Sequence, residues 1–283
     1  MIAFIIPIKP QSVSKNWMYD TLLLERTLKS VCAQTDKNFK VFVVYTDIPE
    51  LNFTHSNIHL VYFPYKMVPA LEILDLDYVN QYYALEYAEK MMDKSKKIMY
   101  GCNQAIQFGC DYFMGLDSDD LVSNRLVSYI NNYRGKLSSG WRIMRGYVYE
   151  EGNVYLTKEN RIEGICGSTH ILHKSLISIP DFNENRLWNF NLFESHSYLY
   201  NRVKQYYNVV LNDYPFFGIV YVAHQNNYSN ILSKLNRISI RNIIKKIIRF
   251  KYLSNKLKNE FGIYNLLSSN LGDISESSIV KTN

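Results

Sequence analysis

The sequence predicts an α/β protein with a mixed, mainly parallel sheet flanked by helices, followed by a basic amphipathic helical segment at the C-terminus. Two observations predict this class: short apolar runs alternate with longer stretches of helical periodicity, and basic residues collect near the end of the chain. The 283 residues suit one large domain with an appendage. We therefore expect a main domain over residues 1–230 and a basic helical extension with a flexible tail over residues 231–283.

The N-terminal part of the chain has the order strand, helix, strand, strand, which is typical of the start of a mostly parallel sheet. Its predicted elements are a buried strand over 2–8, a helix over 21–34, and strands over 39–45 and 58–63. In the helix, apolar residues recur with a period of about 3.6. The second strand, FKVFVVY, consists largely of β-branched and aromatic residues.

The alternation continues through the rest of the main domain. Predicted helices cover 79–109, 121–133 and 190–208. Predicted strands cover 110–116, 141–149, 154–156, 209–211 and 216–223. The residues between the strand over 110–116 and the helix after it are therefore expected at the carboxyl edge of the sheet, where open α/β sheets bind ligands.

The composition favours a globular protein kept in the cytoplasm. A chain that is 47% hydrophobic and 20% charged is not disordered. The four cysteines form no C-x-x-C pair and have no histidine at a zinc-like spacing, which favours reduced core thiols. The opening MIAFIIPIKP lacks the charged n-region and cleavage site of a signal peptide, and no stretch reaches the ~18 apolar residues that span a bilayer.

Three carboxylates stand together at the end of the strand over 110–116. The stretch YFMGLDSDD places Asp117, Asp119 and Asp120 within four positions. Carboxylates that converge repel each other unless a cation lies between them or one of them is protonated, so a hard divalent ion such as Mg²⁺ or Mn²⁺ suits this stretch. The alternative is a helix N-cap, in which Ser118 or Asp119 binds the first amides of the helix over 121–133.

Several blocks of sequence occur in an order that resembles a known family. They read FIIPIK, RTLKSVCAQTDKNFKVFVVYTD, KKIMYGCNQAIQFGCDYFMGLDSDDLVSNRLV, FESHSYLYNRV and YVAHQNNYSN. This order resembles the GT-A nucleotide-sugar-dependent glycosyltransferases of family 2, over about residues 1–230. The resemblance implies a GT-A (Rossmann-like) fold and an inverting, hexosyltransferase-like transfer. The sugar would pass from a nucleotide-sugar donor, first of all a UDP-sugar, to a saccharide or lipid-linked acceptor in cell-surface polysaccharide synthesis.

The resemblance also implies a donor site and a metal site. The donor would be bound by Pro7, Ile8, Asp47, Lys97, Asp117 and Ser118. The metal, Mn²⁺ or Mg²⁺, would be bound by Asp119, Asp117 and His224, with Asp120 in support. Three of these residues also have structural interpretations: Asp47 as a turn residue, Lys97 as part of a solvated helix face, and His224 as a satisfied histidine at a strand end.

An inverting transfer needs a base that removes the proton of the acceptor hydroxyl on the face opposite the leaving group. Where the family often has two acids in a row, this chain reads Phe193-Glu194-Ser195-His196. Glu194 is then the first candidate for the base and His196 the second, although Glu194 also suits the first turn of a helix. In the acceptor pocket, His170 and His173 are candidate lining residues, and Trp141 and Trp188 are candidates for stacking on sugar rings, unless they belong to the core.

The predicted C-terminal helix over 238–250 carries isoleucines on one side and basic residues on another. Nine Lys or Arg residues and no Asp or Glu lie between Lys234 and Lys258, so the rest of the chain is slightly negative. This pattern fits either peripheral contact with an anionic membrane or packing on the domain or on a second subunit in a homodimer. Aromatic residues are sparse in this segment and it has no recognition motif, so we expect no nucleic-acid partner.

Two other classes of function remain open at this point. A nucleotidyltransferase uses a similar sheet, but it needs a glycine-rich phosphate loop after the first strand, and PIKPQSVSK has no glycine. A sugar-nucleotide-binding module that has lost catalysis would explain why Ser195 stands where the family often has a second acid.

Overall fold

The computed structural model describes residues 1–75, 85–133, 138–194, 196–224 and 249–266. For residues 85, 86, 191, 194, 196 and 197 it describes the backbone alone. The described strands are β1 (Ile2–Pro7), β2 (Phe39–Tyr45), β3 (Ile58–Tyr62), β4 (Tyr112–Gly115), β5 (Leu121–Val122), β6 (Gly140–Arg142), β7 (Arg145–Glu150), β8 (Tyr155–Glu159), β9 (His170–His173), β10 (Asn212–Asp213), β11 (Phe217–Ala223) and β12 (Phe250–Tyr252). The described helices are α1 (Trp17–Cys32), α2 (Leu85–Gln107), α3 (Leu126–Asn131), α4 (Asn191–Glu194), α5 (His196–Tyr207) and α6 (Asn255–Phe261).

The first sheet is mixed and mainly parallel, which confirms the predicted fold class. Its seven strands have the order β10-β6-β9-β4-β1-β2-β3. β1 lies between β2 and β4 and is parallel to both, and β3 is parallel to β2. β9 runs antiparallel to β4 and β6. The carboxyl ends of β1, β2 and β4 therefore meet at one edge, which is called the carboxyl edge below.

Helices cover both faces of this sheet. Every residue of β1 is buried, and successive side chains point to opposite faces, so both faces need an apolar layer. Ile2, Phe4 and Ile6 pack with residues of α1 and α3 in one core. Ala3 and Ile5 pack with residues of α2 and of α4–α5 in the other. The two layers hold β1 rigidly, and the loops at its carboxyl end are positioned by it.

The second sheet has five strands in the order β12-β8-β7-β11-β5. β12 pairs antiparallel with β8, and Leu257 and Phe261 of α6 pack with Leu156 in a third apolar cluster. The described part of the predicted C-terminal extension thus contributes a strand and a helix to this sheet. The predicted basic helix over 238–250 lies outside the described residues as far as residue 248, and Phe250 begins β12 where that helix was expected to end.

Several predicted elements differ from the structure. The strand predicted over 209–211 is wrong, because β10 begins only at Asn212. The helix predicted over 121–133 is wrong in its first part, because residues 121 and 122 form β5, which pairs antiparallel with β11, and α3 begins only at Leu126. The strand predicted over 141–149 is two strands, of which β6 joins the first sheet and β7 the second. α1 begins at Trp17, because the Asn16 side chain accepts the backbone N–H of Tyr19 at 3.0 Å and caps the helix there.

None of the helices in the described ranges has both the length and the apolar character that crossing a membrane requires.

Candidate functional site

The aspartate stretch lies in a turn at the carboxyl edge. The backbone N–H of Leu116 donates to the carbonyl of Ile5 at 2.9 Å, which ties the end of β4 to the end of β1. The N–H of Asp120 then donates to the carbonyl of Asp117 at 3.1 Å and closes the turn. β5 follows directly, and no side chain caps α3 at its N-terminus. The helix-cap interpretation of this stretch is therefore wrong, because a strand and not a helix follows the turn.

The three aspartates of the turn have different neighbours. Asp119 contacts His224, which follows the last residue of β11, with 2.8 Å between Oδ2 and Nε2. Asp117 forms an ion pair with Lys94 of α2. Asp120 turns into the protein. The three carboxylates therefore contact three different parts of the molecule. Those of Asp117 and Asp119 remain partly exposed to solvent.

The Asp119–His224 pair is the most specific feature of the edge. The side chain of His224 is 5% exposed and that of Asp119 is 23% exposed. The Tyr19 ring of α1 meets the imidazole edge to face, with 5.8 Å between the ring centroids. Burial opposes the ionisation of Asp119, but the hydrogen bond and charge of His224 outweigh it and hold the pKa of this carboxyl below its usual value. Asp119 is therefore an ionised carboxylate at neutral pH.

The Lys94–Asp117 pair lies in a tight space beside Gly167. Burial disfavours the charged lysine, but the charge of Asp117 outweighs this effect and raises the pKa of Lys94. A Cβ atom added at Gly167 would lie 2.8 Å from Oδ2 of Asp117 and 3.0 Å from Nζ of Lys94. A residue without a side chain is thus needed here for the pair to keep its present position. No motif of the sequence singles out Lys94.

Asp120 holds the turn to the interior. Its Oδ2 accepts from Ser168 Oγ at 2.6 Å and from the Cys166 thiol at 3.1 Å, and the residue is 1% exposed. Burial and the negative charges of Asp119 and Asp117 raise its pKa well above the ordinary value. The prediction that Asp120 supports the metal is therefore corrected, since the residue faces away from the edge and stabilises the turn.

Lys97 reaches the carboxyl edge from the interior and is not open to a ligand there. It is fully buried and contacts Asp93 at 2.9 Å and the carbonyl of Ile8 at 2.7 Å. Its neighbour Lys96 donates to the carbonyl of Phe182 at 2.9 Å. The assignment of Lys97 to the donor site is corrected accordingly. Three lysines follow one another closely on α2, and packing alone decides that Lys94 is the one that reaches the aspartates.

The residues predicted to bind a nucleoside lie at the carboxyl edge, in loops that are joined by hydrogen bonds. Pro7 ends β1, and the side chains of Pro7 and Ile8 are buried, so that a ligand would meet mainly their backbone. Asp47 follows β2, and its Oδ2 accepts the backbone N–H of Gln11 at 2.8 Å. Asp47 thus stabilises the loop after β1, and among the described residues its other oxygen makes no hydrogen bond. Ser118 lies in the aspartate turn, and its carbonyl accepts from Thr27 Oγ1 of α1 at 3.0 Å.

The candidate base residues lie on two short helices whose side chains are only partly described. Glu194 ends α4 and His196 begins α5, but both side chains and the whole of Ser195 lie outside the described residues. A Cβ atom built on Gly115, at the end of β4, would lie 3.6 Å from the ring of Phe193. The chain therefore approaches the carboxyl edge one residue before Glu194, and the base role remains a prediction.

Two of the residues predicted for an acceptor pocket belong to the interior. Trp141 is 1% exposed and His170 is 2% exposed, so neither is available for stacking or contact with a sugar. His173 is half-buried and its ring meets that of Tyr112. Trp188 is 38% exposed and remains a candidate for stacking on a sugar ring.

The donor atoms at the edge suit a divalent cation. Asp119 Oδ2 and His224 Nε2 are near enough for one ion to contact both, and Mn²⁺ accepts a carboxylate oxygen and an imidazole nitrogen as ligands. Within the described ranges, no three His, Cys, Asp or Glu side chains cluster at metal-binding distances. A metal here would take its other ligands from a bound phosphate or from water, as Mg²⁺ commonly does in proteins.

Comparison with known proteins gives similarities to solved structures. No protein-family model and no curated protein matches the sequence. Residues 1–349 of S. aureus TarS match with a TM-score of 0.42 and 13% identity, over 99% of this chain and 75% of that chain. The same fragment in complex with UDP-GlcNAc matches with a TM-score of 0.43 and 12% identity, over 99% and 76%. A candidate nucleotide-diphospho-sugar transferase from Desulfovibrio desulfuricans G20 matches with a TM-score of 0.33 and 10% identity, over 97% of each chain.

Proposed function

We propose that this protein is a glycosyltransferase that moves a sugar, with inversion, from a nucleotide-diphosphate donor to a saccharide or lipid-linked saccharide acceptor. A UDP-sugar is the proposed donor, and cell-surface polysaccharide synthesis is the proposed process. The transfer would take place in the cytoplasm, at the inner face of the membrane if the basic segment binds anionic lipid. That segment could equally hold a second subunit in a homodimer.

One observation carries the proposal. The carboxyl edge of a mainly parallel sheet brings together an ionised aspartate in contact with a histidine and a lysine paired with a second aspartate. Ligands of open α/β sheets bind at this edge. A diphosphate is bound by cations, and this edge offers Lys94 directly and a place for a divalent ion beside Asp119 and His224.

The residues have distinct proposed roles. Asp119 and His224, with Asp117 in support, would hold Mn²⁺ or Mg²⁺, and the bound ion would supply positive charge to the departing diphosphate. Lys94 exchanges part of its contact with Asp117 for a phosphate oxygen. Pro7, Ile8, Asp47 and Ser118 border the nucleoside and ribose. Glu194, or else His196, removes the proton of the acceptor hydroxyl.

The first test is release of nucleoside diphosphate from a panel of UDP-, GDP- and dTDP-sugars, with and without Mn²⁺. Metal-dependent release supports a glycosyltransferase. Formation of pyrophosphate would instead identify a nucleotidyltransferase, and binding without turnover would identify an inactive sugar-nucleotide-binding module.

Asp119→Ala sharpens this test. We expect it to reduce nucleoside diphosphate release by at least about 100-fold, because it removes a charged group that contacts the metal and leaves the fold unchanged. Asp213→Ala is the matched control, since Asp213 is 59% exposed in β10 at the opposite end of the sheet from β3 and should behave like wild type. Near-normal turnover by Asp119→Ala would remove the proposed metal role.

A further inference from the structure

A cavity of about 340 Å³ lies between α2, the segment 178–192 and the end of α5. Its volume is within the range of small-molecule sites in proteins, roughly 300–1,000 Å³. The floor is apolar and buried, and it consists of Met99, Phe190 and Leu192. The cavity shares no lining residue with the aspartate turn, and it is therefore separate from the candidate site at the carboxyl edge.

Two aromatic side chains stand at the rim of this cavity. Trp188 is 38% exposed and Tyr207 is 37% exposed, although side chains of this size are usually buried further. The Trp188 indole meets the ring of Tyr206 edge to face, with 5.6 Å between the centroids, which orients it. An exposed aromatic face of fixed orientation beside a cavity is suited to stack on the apolar C–H face of a ring-shaped ligand.

The turn that carries Trp188 is held in place from a distant part of the chain. The two oxygens of Asp75 accept the backbone N–H groups of Leu187 and Trp188, each at 2.8 Å. Two charge-assisted hydrogen bonds to one turn fix its backbone more firmly than neutral bonds do. The aromatic wall therefore exists before any ligand arrives, which lowers the entropic cost of binding.

The polar groups of the rim accept hydrogen bonds. Asp181 and Glu184 line the cavity, and each uses one carboxylate oxygen for a neighbouring asparagine, Asn183 and Asn189 respectively. In the described part of the chain, the second oxygen of each carboxylate makes no hydrogen bond. These oxygens suit the hydroxyl donors of a sugar, and carboxylates bind hydroxyls more strongly than neutral acceptors do. Among the described residues, the lining contains no Lys or Arg, and the two carboxylates would repel an anionic ligand.

We propose that this cavity binds a neutral saccharide, with Trp188 as the stacking platform and Asp181 and Glu184 as hydroxyl acceptors. The inference extends the proposed function by giving the transferase a second saccharide contact outside the carboxyl edge. α2 links the two places, since Lys94 and Met99 are five residues apart on it, about 7.5 Å along the helix axis. A growing saccharide chain could thus be held beside the site that extends it.

A glycan microarray probed with the full-length chain tests the proposal, with neutral, anionic and amine-bearing glycans on one surface. We expect binding to neutral glycans, at least tenfold weaker in Trp188→Ala and measurably weaker in Glu184→Gln. Tyr155→Ala is the control, because Tyr155 is 51% exposed on β8 in the other sheet and should leave binding unchanged. Circular dichroism checks that each variant is folded. Should Trp188→Ala unfold, Glu184→Gln keeps the size of the side chain and carries the test.

Three results would overturn the proposal: no neutral glycan binds, the bound glycans are all anionic or amine-bearing, or wild-type binding is found for folded Trp188→Ala or, where that variant does not fold, for Glu184→Gln. Nucleoside diphosphate release is measured in the same wild-type preparation and depends on the carboxyl edge. Failure of glycan binding and failure of the proposed transfer are therefore separate outcomes.

Discussion

Two lysines of α2, three residues apart, form ion pairs in opposite surroundings. Lys97 is fully buried between Asp93 and the carbonyl of Ile8. Lys94 meets Asp117 at the carboxyl edge, where the two side chains are 32% and 28% exposed. The chain itself supplies the partners of Lys97, and these fix the loop after β1. The pair at the edge is partly exposed, and under the proposed function a ligand would take one of its partners. The same residue type would then stabilise the structure in one place and bind a ligand in the other.

The largest expected effect comes from breaking the buried pair. Lys97→Met leaves Asp93 buried without its partner, which costs on the order of 3–5 kcal/mol of unfolding free energy. Urea denaturation measures this loss. Lys94→Met is the matched variant, and because its pair is partly exposed we expect a change of about 1 kcal/mol or less. If both variants lost the same free energy of unfolding, burial would not distinguish the structural contributions of the two lysines.

The second effect is measured as activity, and here Lys94→Met is the variant that we expect to be impaired. If Lys94 neutralises the leaving diphosphate, Lys94→Met lowers kcat/KM for nucleoside diphosphate release by about 100-fold, the scale on which loss of one positioned donor affects a reaction. Arginine in its place should restore part of the rate, because the charge returns. A rate within twofold of wild type would assign Lys94 to the turn alone.

A smaller effect is expected from Gly167→Ala. The new methyl group would press on Asp117 and Lys94, whose side-chain ends can move, so the protein should fold while the pair shifts. We expect a loss of about tenfold in kcat/KM, since small displacements of positioned groups are costly for catalysis. Gly164→Ala is the control, because a Cβ there meets nothing within 4 Å. Equal activity of the two variants would contradict the need for space beside the pair.

The smallest effect is a difference in titration, followed by NMR of the lysine side chains. Burial lowers the pKa of Lys97 although Asp93 opposes it, whereas Asp117 raises that of Lys94 against its burial, so Lys97 should lose its proton first as the pH rises. The contribution of Lys94 to stability is complete below its unfolded pKa and is lost as the pH rises through its higher folded pKa. Lys97 has the opposite sign, since stability rises with pH between its folded pKa and the ordinary value of 10.5. Deprotonation in the reverse order would contradict both assignments.

Local pattern predicted most of the fold. β2 has the bounds that its run of β-branched and aromatic residues predicts, because a strand covered on both faces is apolar over most of its length. The incorrect predictions concern segments in which the chain passes from one sheet to the other. At residues 121–133 the apolar run fits a helix, yet its first two residues complete the second sheet beside β11. Periodicity indicates which side chains are buried, but it does not indicate which helix or strand covers them.

By itself, the sequence determined the α/β class and the position of the aspartates after a central strand, and its resemblance to a family gave Asp119 and His224 as candidate ligands. These depend on patterns within short stretches and on the order of the stretches along the chain. Only the tertiary structure decided that Lys94 and not Lys97 reaches the aspartates, that Asp120 turns inward, and that Trp188 stays exposed while Trp141 is buried. The physical reason is that such roles depend on contacts between residues far apart in the chain, as between Asp119 and His224, and packing selects these contacts from many that a single sequence allows.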